Sequence, residues 1–258
     1  MLALKESLLA GTVPRYEIPH WRQRYGVIAG ITARGTDPAL GPRGFDLGLW
    51  GEAPVGEVMG RWRQFRAVEP GFTGWVLGHQ VHGTGIRWHE GATGWRLLDG
   101  VDGHATADSG LLLLITVADC VPVYLLAPRQ RIVALLHAGW RGTAGGILAR
   151  GLDLLASHGV VPSDLIMHCG VAICGACYEV GAEVMVGCGL EAKGAGPWHL
   201  DLRARLAEQA LTLGVAEIST SQWCSGHDRP AFYSHRASGG SDGRMVAYLG
   251  MADTGAPR

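Results

Sequence analysis

Apolar residues in this chain fall mostly in short unbroken runs rather than in helical stripes. Leu111 to Ala118 carries one polar residue, Thr116, and Ile132 to Leu136 carries none. Runs of this length bounded by turn residues read as buried strands. Val121 to Ala127 and Ile132 to Leu136 flank a short polar loop, Pro128 to Arg131, and together predict a hairpin. With Arg129-Gln130 as its loop, Pro128 faces Arg131 and Pro122 faces His137. Every second residue returns to the same face of a strand, so Cys120 then lies diagonally from His137, within reach of one shared metal ion. Pro122 has no N–H for the ladder, which suits a strand start or edge.

Further strands are predicted over 24–34, 75–77, 84–88, 164–168, 215–220 and 244–249. The polar, glycine-rich piece from Glu90 to Gly103 reads as a loop or hairpin tip. Helical spacing marks 57–68, with Val58, Trp62 and Phe65 on one side, and also 179–186 and 202–213. A helix over 143–158 has Thr143 as its N-cap and Gly159 just past its end. Strands in succession between occasional helices predict an α+β fold, a single layered domain over 1–258 with mixed β-sheets and flanking helices. Residues 1–23 are an N-terminal extension, and neither a linker nor a repeat stands out.

Composition narrows the function classes. The chain has 258 residues, 47% of them hydrophobic, which is enough for a sizeable core. Its formal net charge of -1 gives no electrostatic case for nucleic acid or an anionic membrane. No apolar run is long enough to span a bilayer, and the N-terminus lacks a signal-type apolar region. The expectation is a cytoplasmic protein, a monomer or small homo-oligomer. Six cysteines in a chain this size do not suggest a disulfide scaffold, whereas 11 histidines point toward metal or proton chemistry.

His82, Cys120 and His137 are the main candidates for that chemistry. Two imidazoles and a thiolate suit zinc, and three protein ligands leave the fourth tetrahedral position open, as catalytic sites do. The same residues admit two other readings. One is a cysteine hydrolase, with Cys120 as nucleophile and His137 or His82 as base. The other is a buried thiol beside hydrogen-bonded histidines.

The segments His79-Gln80-Val81-His82-Gly83, Ala118-Asp119-Cys120 and His137-Ala138-Gly139-Trp140-Arg141-Gly142 favour the metal reading by likeness. Together they resemble the signatures of the laccase-domain purine nucleoside phosphorylase family, also filed as multicopper polyphenol oxidase and as a peptidoglycan editing factor. The likeness continues through Gly170-Val171-Ala172-Ile173, Tyr178-Glu179-Val180-Gly181, Phe232-Tyr233-Ser234-His235-Arg236 and Gly243-Arg244. Departures fall at Thr32-Ala33-Arg34, Asp46-Leu47-Gly48, Gly60-Arg61 and Val171, and leave the three metal positions intact.

The resemblance implies a cysteine-hydrolase-like fold, and zinc, or copper, at His82, Cys120 and His137. It further implies phosphorolysis of adenosine, inosine, guanosine or methylthioadenosine, with hydrolytic deamination of adenosine. The deaminase pattern His-x-Glu with Pro-Cys-x-x-Cys is absent. A copper polyphenol oxidase fits poorly, because a lone three-ligand site falls short of a multicopper cluster. Peptidoglycan-precursor editing would go with the cysteine-hydrolase reading, and a metal-stabilised binding module is the non-enzymatic alternative.

Phosphorolysis needs an anion site. Arg141-Gly142-Thr143-Ala144-Gly145-Gly146 leads into a helix, where free amides favour phosphate, although Thr143 capping explains the same residues. Ser234, His235, Arg236 and Arg244 form a second candidate. His79 and His235 are candidates for protonating the leaving purine. Gln80 and Asp119 adjoin ligands and are placed to orient them, and Trp140 is placed to line a pocket. Cys174-Gly175-Ala176-Cys177 has redox or zinc spacing. No second cysteine pair or nearby histidine completes a site in the sequence, so these read as loop or buried thiols.

Overall fold

The computed structural model describes residues 2–91 and 93–253. Two seven-stranded mixed sheets make up its centre. One runs in the order Leu2–Leu4, Glu217–Ser221, Ile166–Cys169, Val121–Ala127, Ile132–Ala138, Gly103–Thr106, Ile86–His89. The other runs Ser7–Leu8, Arg15–Glu17, Val27–Thr32, Met245–Met251, Leu111–Val117, Gly74–His79, Gly94–Asp99.

Burial on both faces explains the unbroken apolar runs. Leu111, Leu113 and Ile115 point toward the first sheet and pack with Tyr124, Leu126, Val133 and Leu135. Leu112 and Leu114 point away, onto Trp62 and Phe65 of the helix Val55–Ala67. Val123, Leu125, Ala134 and Leu136 of the first sheet meet Leu148, Leu152 and Leu206 of the helices Ile147–Ala156 and Leu202–Thr212. The order is helix, sheet, sheet, helices, an α+β architecture as predicted.

The central hairpin has the predicted register, with Pro122 opposite His137 and Ala127 opposite Ile132. His137 therefore shares the inter-sheet face with Val133 and Leu135, and that alternation carries back along the partner strand to Cys120.

Three readings need correction. The segment from Glu90 to Gly103 is not a plain loop, because Gly94–Asp99 pairs in parallel with Gly74–His79 as an edge strand. Its side chains are mostly exposed, so it lacks the apolar run that marks the central strands. The helix read over 143–158 is two helices, Trp140–Ala144 and Ile147–Ala156, broken at Gly145-Gly146. Thr143 caps neither. It lies inside the first, and its hydroxyl donates back to the Gly139 carbonyl at 2.9 Å. The helix read over 179–186 is a two-residue strand, Glu179–Val180, followed by a short helix, Ala182–Gly187.

Residues 2–23 supply strands to both sheets. Leu2–Leu4 pairs with Glu217–Ser221, and Arg15–Glu17 pairs with Val27–Thr32. Between them the buried Glu6 carboxylate accepts from Ser221 Oγ at 2.7 Å and meets His168 Nε2 at 3.0 Å. Among the described residues, no helix is long and apolar enough to cross a membrane.

A second buried pair carries a pH prediction. His89 Nε2 lies 3.0 Å from His104 Nδ1, with both rings buried. Burial, with help from Arg96 and Arg87, lowers His89 to about 4. Burial, then the neighbouring His89, lowers His104 to about 3. The folded pair stays neutral while the unfolded imidazoles take up protons near pH ~6.5. The unfolded state thus binds more protons below that pH, and stability falls as the pH drops from about 6.5 toward 4. The loss is on the order of several kcal/mol, comparable with the whole stability of a marginal domain. Denaturant midpoints at pH 7.5 and 4.5 measure it, and equal midpoints contradict it.

Candidate active site

Three chain segments converge where the inter-sheet layer opens. Cys120 immediately precedes the strand Val121–Ala127, and His137 is next to last in its partner Ile132–Ala138. His82 comes from the other sheet, three residues past the strand Gly74–His79, with a left-handed backbone (φ 58°). The ligand atoms of His82, Cys120 and His137 all lie within 4.8 Å of one another. The two rings stand edge to face, with centroids 4.9 Å apart. Gly139 makes the cradle possible, since a Cβ there would come within 3.0 Å of Cys120 Sγ and 3.3 Å of His82 Cδ2.

Asp102 fixes both histidines, and nothing in the sequence singled it out. It is fully buried. Its Oδ1 accepts from His137 Nδ1 at 2.9 Å and from the His82 backbone N–H at 3.0 Å. Its Oδ2 accepts from the N–H groups of Gly83 at 2.8 Å and Val81 at 3.2 Å. One carboxylate thus commits His137 Nδ1, leaving Nε2 as the ligand atom, and pins the loop that carries His82. An acceptor on the outer nitrogen is the usual companion of a metal-binding histidine. Burial pushes the Asp102 carboxyl up, but the bonds from His137, Gly83 and Val81 outweigh it and hold the group below the usual carboxylate range.

The thiol and imidazole polarise each other. Burial opposes charge at both, yet the facing His137, with His82, draws Cys120 down to about 6. His137 rises to about 9 against its own burial, through the Cys120 charge and the Asp102 bond. A thiolate is the form a metal takes up. Soft sulfur, two imidazoles and a fixed second shell fit zinc or a similar borderline ion at His82, Cys120 and His137.

The triad opens into a cavity of about 500 Å³. Gln80, Arg141, His235, Arg236 and Arg244 all line it, as do Trp50, Trp140, Ile173 and Tyr178. Gln80 spends its side-chain amide on Thr116 rather than on His82, Cys120 or His137. Its amide donates to the Thr116 carbonyl and accepts from the Thr116 N–H and hydroxyl, all at 2.8 Å, so it ties the His79–Gly83 loop to the Leu111–Val117 strand. Asp119 likewise serves the opposite wall, accepting from Ser225 Oγ and from the Arg236 N–H, each at 2.6 Å. His79 is held by Asp99 at 2.8 Å and stacks on Trp50, with centroids 4.6 Å apart.

Arg236 lies over the Tyr178 ring, 4.9 Å to the centroid, and Arg141 over Trp140 at 4.6 Å. Arg244 donates to the carbonyls of Asp242 at 2.8 Å and Gly243 at 3.0 Å. Among the described residues, none of these three guanidiniums forms a salt bridge with a carboxylate. The stretch Arg141 to Gly146 does lead into a helix, Ile147–Ala156, but of that stretch only Arg141 lines the cavity. Arg141 reaches it as a side chain from within the short helix Trp140–Ala144.

Cys174 and Cys177, read as loop or buried thiols without a completing partner, do have partners in the fold. The fold brings Cys224 and His227 to them, 50 residues along the chain.

Fold and centre together define a layered α+β protein with a His₂Cys cluster that could hold a metal ion at the mouth of two facing sheets. The family model described as multi-copper polyphenol oxidoreductase laccase matches residues 44–252, and the chain belongs to that family. A purine nucleoside phosphorylase, YlmD of Geobacillus stearothermophilus, is 34% identical over 88% of this chain and 91% of its own length. The crystal structure of YlmD from that organism superposes with a TM-score of 0.86, at 31% identity, covering 97% of this chain and all of the other. An adenosine deaminase, RL5, from an unknown prokaryotic organism is 34% identical over 57% of this chain and 61% of its own.

Proposed function

We propose that this protein is a zinc-dependent purine nucleoside phosphorylase acting on adenosine, inosine, guanosine and methylthioadenosine, with adenosine deaminase activity. One observation carries the reading: the His82–Cys120–His137 set opens into a nucleoside-sized cavity lined by three guanidiniums without carboxylate partners. The names of the relatives supply the reaction class.

In phosphorolysis a phosphate oxygen bonds to the ribose C1′ while the C1′–N9 bond breaks and its electron pair leaves with the purine, which takes up a proton. Arg141, Arg236 and Arg244 hold the phosphate by charge-assisted bonds. Trp140, Tyr178 and Ile173 offer the apolar wall for the base. His79 and His235, on the same cavity, are the residues to deliver the proton. A cation held by His82, Cys120 and His137 would supply Lewis acidity there.

A nucleoside panel, incubated with and without phosphate on metal-quantified protein and read by chromatography, tests this. Inosine should give hypoxanthine and ribose 1-phosphate only when phosphate is present. Full zinc occupancy with every nucleoside untouched defeats the reading. Arg244→Gln should raise the KM for phosphate about 10–100-fold, the worth of one charge-assisted hydrogen bond, while sparing adenosine deamination. An unchanged phosphate KM would remove Arg244 from the anion site.

A second reading has its own observation in its favour. The Cys120 thiol drawn down to about 6 beside His137 is also the arrangement of a cysteine hydrolase, with amide bonds or peptidoglycan precursors as substrates. Activity retained after metal removal would favour it.

A further inference from the structure

We propose that Cys174, Cys177, Cys224 and His227 form a second metal site, a closed Cys₃His shell that holds zinc for a structural purpose. The inference stands apart from the reading of the catalytic centre. All four ligand atoms lie within 4.8 Å of one another. His227 Nδ1 is 3.3 Å from Cys177 Sγ and 3.7 Å from Cys174 Sγ. A tetrahedral shell with Zn–S of about 2.3 Å and Zn–N of about 2.0 Å has edges of about 3.5–3.8 Å. The side chains are therefore gathered at close to the separations that a zinc ion imposes.

The backbone supports the same conclusion. Each half of the site is a Cys-x-x-Cys or Cys-x-x-His turn. In the first the Cys177 N–H donates to the Cys174 carbonyl at 3.0 Å, and in the second the Asp228 N–H donates to the Cys224 carbonyl at 2.9 Å. Two further N–H groups, of Cys174 and Gly226, point at Cys224 Sγ at 3.2 and 3.3 Å. Those two amides hold the Cys224 sulfur facing the other ligand atoms. The turns interlock at Gly226, where a Cβ would sit 3.0 Å from Cys177 Cβ and 3.4 Å from its sulfur. His227 Nε2 leans toward the Asp228 carboxylate at 3.8 Å, and the same carboxylate oxygen accepts the Cys224 N–H at 2.9 Å. The ring turns its Nδ1 toward the sulfurs and its Nε2 to the carboxylate side.

Four protein ligands fill a tetrahedral shell, which marks a structural centre rather than a reactive one. On binding, the three thiols release their protons to solvent and His227 ligates as neutral imidazole. The effect is mechanical. Ile173 and Tyr178, which line the catalytic cavity, flank the first turn. Ser225, inside the second turn, holds Asp119, which in turn holds the Arg236 backbone. The ion would clamp two loops into one wall of that cavity.

The test is zinc counting on full-length protein loaded with zinc and freed of excess. Wild type should carry two zinc ions per chain, and Cys120→Ala and the Cys174→Ser/Cys177→Ser double variant one each. His227→Cys, which keeps four ligands, should carry two. Cobalt(II) added to stripped Cys120→Ala protein should give the intense sulfur-to-metal absorption of a tetrahedral thiolate site, strengthened by adding His227→Cys. The proposal is overturned if Cys120→Ala binds no zinc, or if its Cys174–Cys177 peptide is two hydrogens lighter, as a disulfide, under the same conditions. Neither readout depends on nucleoside turnover, so failure here is distinct from failure of the catalytic reading.

Discussion

Cys120→Ala protein is expected to keep its fold, to lose the metal at the sheet mouth and to lose nucleoside cleavage by about 10³-fold or more, the scale of several kcal/mol of Lewis-acid stabilisation. The fold should survive because Cys120 lies outside the central strands and removal of one sulfur opens only a small gap beside the existing cavity. The metal should not survive, because the soft anionic donor is gone and only two imidazoles remain to hold it. Cys120→Ser should do little better, since a hydroxyl at neutral pH keeps the proton that the thiol, drawn down to about 6, gives up. Zinc content, circular dichroism and turnover on the same sample check the result. Retained turnover at full rate would remove Cys120 from the mechanism under either reading.

The second large effect is expected at Asp102, which touches no substrate. Asp102→Asn preserves shape but replaces one acceptor oxygen with a donor. Four N–H groups, from His137, His82, Gly83 and Val81, now converge on the carboxylate. An amide can accept only through its single oxygen, so at least one buried N–H would face an NH₂ group, at a cost of about 1–3 kcal/mol. His137 would also lose the anion that orients it. Removing such an outer partner typically weakens metal affinity about 10–100-fold, and that is the expected fall here. Zinc competition against a chelator, with the thermal midpoint measured alongside, reads both effects. A lowered midpoint with unchanged zinc affinity would make Asp102 a purely structural residue.

The legible parts of the sequence were those governed by local rules. Alternation and loop length together set Pro122 opposite His137, and that register alone puts Cys120 near His137. Arg141 was reached through the need for an anion site beside a helix, and His235, Arg236 and Arg244 as a second anion candidate within a familiar motif; all four line one cavity. What stayed hidden depends on contacts between distant segments. Asp102 sits in a glycine-rich stretch, Asp99-Gly100-Val101-Asp102-Gly103, where an aspartate ordinarily signals a turn, and only the meeting of three strands gives it a function. Cys224 and His227 follow the same logic, because a Cys-x-x-Cys turn cannot announce partners 50 residues away. Trp50 was silent too, although it stacks on His79 at the cavity mouth. Thr143 misled for a local reason, since Gly145-Gly146 breaks the helix after it and the short helix begins at Trp140.

One titration tests the central claim most directly. Chelator-stripped protein receives zinc stepwise in the presence of phosphate, and inosine cleavage and protection of Cys120 from alkylation are followed in each sample. The account predicts no cleavage without metal, and turnover that rises in step with Cys120 protection. Full cleavage by stripped protein, abolished once Cys120 is alkylated, would contradict it and make this centre a thiol catalyst.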